Sequence, residues 1–157
     1  MKTHQIFILA LALLLVGCAN PTEDSEQAQQ ALAAFFENLS KGEYAEAAGL
    51  YAGDYENLIS FNPDLDPQDH AALWQNGCQV NGLQCLVVRS ATFKERTSAG
   101  EYLFTVEFSN SDGSLFSRGA CCGEDPTNTP PTSQFEYRLT QGEDGKYRVL
   151  DMPVYVP

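Results

Sequence analysis

Apolar residues recur at helical spacing from Ala28 through Leu32, Phe35, Phe36 and Leu39, which predicts an opening helix capped by Asp24 or Ser25 and stopped at Gly42 after Lys41. A second stripe, Tyr44, Ala47, Ala48 and Tyr51, follows at once; it breaks near Gly53 and leads into a shorter helical turn through Tyr55, Leu58 and Ile59. Asp66-Pro67 reads as a third helix start, the acid as cap and the proline at the first helical position, ahead of Ala71, Ala72, Leu73 and Trp74 and an end near Cys78. After Asn81-Gly82 the period changes to two. Residues 85–97 read as one strand, Tyr102, Phe104, Val106 and Phe108 alternate through a second, and 115–119 make a third beyond the Asp112-Gly113 turn. A loop of roughly a dozen residues, 121–132, is long by the usual priors for compact domains. Phe135, Tyr137 and Leu139, then Tyr147 and Val149, mark two last strands. Three helices followed by about five antiparallel strands predict an α+β domain with its helices on one face of a curved sheet.

The N-terminus has a different pattern. Lys2 precedes an unbroken apolar run, residues 6–16. A bilayer core takes about 20 apolar residues and a signal-peptide core about 7 to 15, so this run reads as an export signal. Leu15-Val16-Gly17-Cys18 resembles the lipobox of bacterial lipoproteins, in which cleavage occurs before a cysteine carrying diacylglycerol. The organisation expected is therefore a lipoprotein signal peptide over 1–17, a lipidated linker over 18–25 with Cys18 acylated by diacylglycerol and palmitate-type chains, and a folded domain over 26–157. At about 0.8 kcal/mol per buried methylene, two or three such chains hold a protein to a membrane permanently. Ala19 follows the lipidated position where an Asp would mark inner-membrane retention. The expected location is thus the outward face of the cell membrane, or the outer membrane in a double-membrane host.

Phe35-Phe36-Glu37-Asn38-Leu39-Ser40-Lys41-Gly42-Glu43-Tyr44-Ala45-Glu46-Ala47-Ala48-Gly49-Leu50-Tyr51 resembles the opening helical hairpin of the NTF2-like superfamily, whose domains recur in small exported bacterial lipoproteins. The resemblance implies a cone, with a bent sheet wrapped around the long first helix and open at one end. Enzymes of that superfamily place an Asp base and Tyr or protonated-acid donors inside the cone. No stretch of this chain matches those motifs, so the resemblance carries no catalytic residue, and fold alone supplies no function.

Charge narrows the partners. Removal of 1–17 takes away Lys2 and leaves 8 basic against 21 acidic side chains, a formal −13. Such a surface repels phosphate, so nucleic-acid binding is not expected. Beyond the anchor there are four cysteines, Cys78, Cys85, Cys121 and Cys122, and an exported compartment favours disulfides over zinc. In a simple strand meander Cys85 and Cys121 fall about 26 Å apart, far beyond the ~7 Å Cα limit of a disulfide. Cys78 is within one turn's reach of Cys85, which makes that pair the favoured bridge. Cys121 and Cys122 are left to each other as a vicinal disulfide, or free; a vicinal pair would make the loop a redox-sensitive or soft-metal element.

No catalytic or metal-binding set and no cofactor is expected. His70 is the only histidine after processing, and the oxygens of 62–70 fail the calcium-loop pattern, with Asp69 and Gln75 where a glycine and a glutamate belong. Capping by Asp66 explains them better. Tyr51, Trp74, Phe104 and Tyr137 could line a pocket between helix and sheet, although aromatics at these spacings also make plain core. Glu107 and Glu136 alternate away from the aromatic faces. The expected function is a lipid-anchored accessory domain binding a small ligand or an envelope protein through the cone mouth and the 121–132 loop. The alternatives are a cone-pocket acid–base enzyme, which requires a buried ionisable group, and a structural spacer in the cell envelope.

Overall fold

The architecture comes from a computed structural model that describes residues 21–120, 125, 127–128 and 130–157. The lipidation position Cys18, the apolar leader, and Cys121 and Cys122 lie outside the described residues.

The first helix, α1 (Pro21–Lys41), is longer than its apolar stripe predicts. It begins within the stretch expected to be linker, because proline is well accommodated in a helix's first turn and Glu23 and Asp24 complement the positive helix end. Its 21 residues at about 1.5 Å each span about 30 Å. Gly42, at φ 80°, ends it: the Gly42 N–H donates to Leu39 O at 3.2 Å and the Glu43 N–H to Asn38 O at 2.9 Å. Three helices follow, α2 (Tyr44–Gly49), α3 (Glu56–Phe61) and α4 (His70–Gln79), so the segment around Leu58 expected as a mere turn is a helix of its own. The cap of α4 is Asp69 rather than Asp66; its Oδ1 accepts from the Ala72 N–H at 3.0 Å. Asp66 instead closes the preceding turn, accepting from the Gln68 N–H at 2.9 Å, and this local bond competes with helix initiation.

The sheet is an antiparallel meander in the order β1 (Val87–Arg96), β2 (Tyr102–Ser109), β3 (Phe135–Gln141), β4 (Tyr147–Val149). It has four strands, not five. The segment expected as a strand over 115–119 makes only isolated bridges, Ser109 to Leu115 and Arg118 to Thr132. The reason is competition for the β2 edge: residues 102–106 of β2 pair with β3, with Phe104 opposite Tyr137, leaving only the last residues of β2 for the 114–116 segment. That segment offers one buried apolar side chain, Phe116, against exposed neighbours. The turn between β1 and β2 sets Thr97 opposite Glu101, the Thr97 N–H donating to Glu101 O at 2.8 Å. Two irregularities in β1 then shift the pairing by one residue each, so Val87 faces Ser109.

The helix α1 lies on the inner face of the sheet, against β1, β2 and β4. Asp24 Oδ2 accepts from the Tyr102 hydroxyl at the start of β2 at 3.4 Å, and Phe36 meets Phe108 near the end of β2 at 4.7 Å between ring centroids. The helix therefore runs in the same direction as β2. Between them the core is aromatic: Phe35, Phe36, Trp74, Phe104, Phe108 and Tyr137 are each 0 to 2 % exposed.

Candidate functional site

The four aromatics expected around a pocket lie in this core. Tyr51 and Trp74 meet edge to face at 5.0 Å, and both contact Phe35, at 5.9 and 5.5 Å. Tyr137 packs edge to face on Phe36 at 5.0 Å, and Phe104 meets Phe93 at 5.6 Å. Burial pushes the Tyr51 and Tyr137 hydroxyls above the ordinary phenol range. The Tyr51 hydroxyl donates to Asp54 O at 3.0 Å, and the Trp74 indole N–H donates to the Tyr55 hydroxyl at 3.1 Å. The His70 ring stacks on Tyr55 at 3.9 Å. Glu107 and Glu136 lie toward solvent, the first accepting from Ser90 and Gln134, the second paired with Lys94.

Among the described residues no Asp or Glu is buried; the one buried polar residue is Asn62, 6 % exposed. Its amide donates to Leu58 O at 2.7 Å and to Asn81 Oδ1 at 3.0 Å, and its oxygen accepts from Asn76 at 3.1 Å. Asn62 thus belongs to an amide network joining α3, α4 and the loop after α4, and not to an oxygen cage with the nearby aspartates. Among the described residues no group of three or more His, Cys, Asp or Glu could hold a metal ion, and no helix is long and apolar enough to cross a membrane.

The residues with unspent binding capacity lie elsewhere, at the end of the domain where β2 finishes, and the apolar pattern did not single them out. Cys78 and Cys85 are disulfide-bonded, with Cα atoms 5.6 Å apart. The loop they close runs antiparallel to the C-terminal segment: Leu83 bridges Tyr155, the Gln84 N–H donates to Val154 O at 2.8 Å and the Val156 N–H to Gly82 O at 3.0 Å. Gly82 sits at φ 82° with the Val156 carbonyl against the position a Cβ would take, so only glycine fits there. Gly77 brings α4 close in the same way; a Cβ on it would lie 2.8 Å from Leu58 and 2.9 Å from Leu83. This stapled ribbon holds apolar side chains in water: Val80 is 72 % exposed, Phe61 59 % and Tyr155 47 %. Phe61 and Tyr155 stack at 6.5 Å and, with Val80 and Pro157, line a depression of about 200 Å³.

Tyr155 separates this depression from a larger one of about 340 Å³. Residues 116–120 form one wall of the larger groove, and Gln84 with 155–157 the other. Val87 and Leu115, exposed like the others, lie opposite Ser109 at the end of β2, one on either side of it. Five of the six large apolar residues that are exposed among the described residues therefore gather at this end, the exception being Phe93. A concentration of this kind marks interaction surfaces, whereas apolar residues scattered singly need no explanation. Arg118 supplies the groove's only charged side chain, and it has no carboxylate partner among the described residues. Arg138 pairs with Asp151 at 2.6 Å and Arg148 with Asp144 at 2.7 Å, whereas Arg89, Arg96 and Lys146 share with Arg118 the lack of an ion pair among the described residues but do not line the groove.

The sequence signal for this surface was the stretch Met152-Pro153-Val154-Tyr155-Val156-Pro157 together with Asn81-Gly82. Asn81-Gly82 marks only the change of period, and 152–157 has no period that assigns a face. Compared with known protein families and with curated proteins, the chain matches none.

Proposed function

We propose that the chain is a lipid-anchored extracytoplasmic binding module of NTF2-like type, tethered through Cys18 to the outward face of the cell membrane, or to the outer membrane in a double-membrane host, and that it engages an envelope protein at the groove beside Tyr155. The observation that carries this reading is the position of the apolar surface. It sits at the end of the domain away from the start of α1, about 30 Å from that start by the length of the helix. A surface so placed addresses a partner beyond the membrane and not the lipid that holds the domain. A protein partner is favoured over a small ligand because the groove is open along its length and its stapled walls are presented outward. The acid–base alternative has no buried carboxylate among the described residues to rest on.

The test is made in cells. A photo-crosslinking amino acid replaces Val80 on the groove side or Glu143 in the exposed β3–β4 turn, in wild type and in Cys18→Ser. The expected outcome is one envelope protein captured from Val80 but not from Glu143, and loss of both capture and membrane association in Cys18→Ser. Equal capture from the two positions, or a wild-type protein that washes from membranes with salt, refutes the reading.

A further inference from the structure

The walls of the 340 Å³ groove have a second property besides being apolar. Arg118 and Thr132 exchange both main-chain hydrogen bonds, at 2.9 and 3.0 Å, and the Phe116 N–H donates to Phe108 O at 2.9 Å. In an extended segment successive residues direct their N–H and C=O groups to opposite edges. Ser117 and Gly119 therefore turn theirs away from Thr132 and β2, and they bond nothing among the described residues. On the other wall, the bonds that flank the Leu83–Tyr155 bridge belong to Gln84, Val154, Val156 and Gly82. That pattern turns the Tyr155 N–H and C=O away from Leu83, and they too are unbonded among the described residues. Protein edges of this kind are normally covered or blunted with charge, and here the edge adjoins exposed apolar side chains.

We infer that the partner binds as an extended peptide, adding a short strand along the open edge of Ser117 and Gly119, with apolar side chains against Tyr155 and Pro157 and an acidic side chain against Arg118. This deepens the binding-module reading and rests on it. Main-chain bonds supply the affinity in such strand addition, and alternate side chains supply the selectivity. Charge complementarity decides the polar part. The domain is strongly acidic overall, so an acidic peptide is repelled everywhere except where an unpaired cation receives it, and Arg118 is that cation within the groove.

The experiment selects a phage-displayed library of random linear peptides on the full-length protein in detergent micelles, then measures a synthesised winner and its N-methylated analogues. Winners that alternate apolar residues around one acid are expected. N-methylation at alternate backbone positions weakens binding at least tenfold, Arg118→Glu does the same, and hydrogen exchange at the Ser117 and Gly119 amides slows only in the complex. Three results overturn the inference: no enrichment over bare micelles, binding indifferent to N-methylation, or Ser117 and Gly119 amides already protected in the free protein because the chain's own 121–131 segment fills the edge. Capture of a partner from Val80 alongside any of these leaves the binding module standing and removes only strand addition. Loss of both removes the module.

Discussion

The Cys78–Cys85 bridge closes a short loop, with a sequence separation of 7, and its removal has a calculable cost. Loop-closure entropy for about eight residues amounts to about 8 cal/mol/K, or about 2.5 kcal/mol at 25 °C. A domain of this size loses about 4 °C of Tm per kcal/mol, so Cys78→Ala/Cys85→Ala should melt about 10 °C lower. The assay is thermal unfolding followed by circular dichroism, with and without a thiol reductant, on wild type and double variant. Reduced wild type separates loss of the link from loss of sulfur packing, since both cysteines are half-buried against the core. The damage should also be local. The bonds from Gln84 to Val154 and from Val156 to Gly82 depend on this loop keeping its shape, so their amides should exchange faster than those of β2. A Tm loss below about 3 °C would refute the entropic account. A reductant effect persisting undiminished in the double variant would place the stabilising thiol chemistry at other cysteines.

Asn62→Ala should cost about 1–3 kcal/mol in denaturant unfolding, because it strands the amides of Asn76 and Asn81 around a buried position; a neutral result would mean that they find other partners. Tyr147→Phe should be neutral or stabilise by up to about 1 kcal/mol, since the buried Tyr147 hydroxyl makes no well-formed hydrogen bond; clear destabilisation would show that the neighbouring Tyr102 hydroxyl or Asp24 carboxylate partners it. The hydrogen bond from Arg148, with that from the Lys146 N–H, holds the Asp144 carboxyl at about 2, below its ordinary 3.8. Because the folded value is the lower one, the stabilisation is present above about pH 4 and is lost as pH falls through about 2; a carboxyl NMR titration of Asp144 with a midpoint near 3.8 would contradict it. Gly82→Ala should displace the C-terminal segment and lower Tm, through left-handed strain and collision with Val156 O; an unchanged melting curve with unchanged exchange at Val156 would refute the close approach.

Helical and strand periodicity in this chain is strong wherever one face is buried, and there the sequence specified the element. The α1 stripe from Ala28 to Leu39 and the alternation Tyr102, Phe104, Val106, Phe108 appear in the structure as read, every one of these residues buried. The Cys78–Cys85 pairing was legible as well, because a short separation limits the geometry that chain connectivity allows. What the linear pattern does not contain is competition between segments. Residues 115–119 follow the Asp112-Gly113 turn as the next strand of a meander would, yet β3 occupies the part of the β2 edge they would need. Asp66 and Asp69 both suit a helix cap, and only the turn geometry decides between them. The depression beside the groove follows from the same rule. Val80, Phe61 and Tyr155 come from three separate segments, each unremarkable alone, and become one apolar surface because a disulfide, a left-handed glycine and a short ribbon of 82–84 against 154–156 bring them together. Local sequence determines which face of an element is greasy, since burial acts on each element's own period; which edges stay open is decided by whichever segments reach them, and that is settled only when the whole chain has packed.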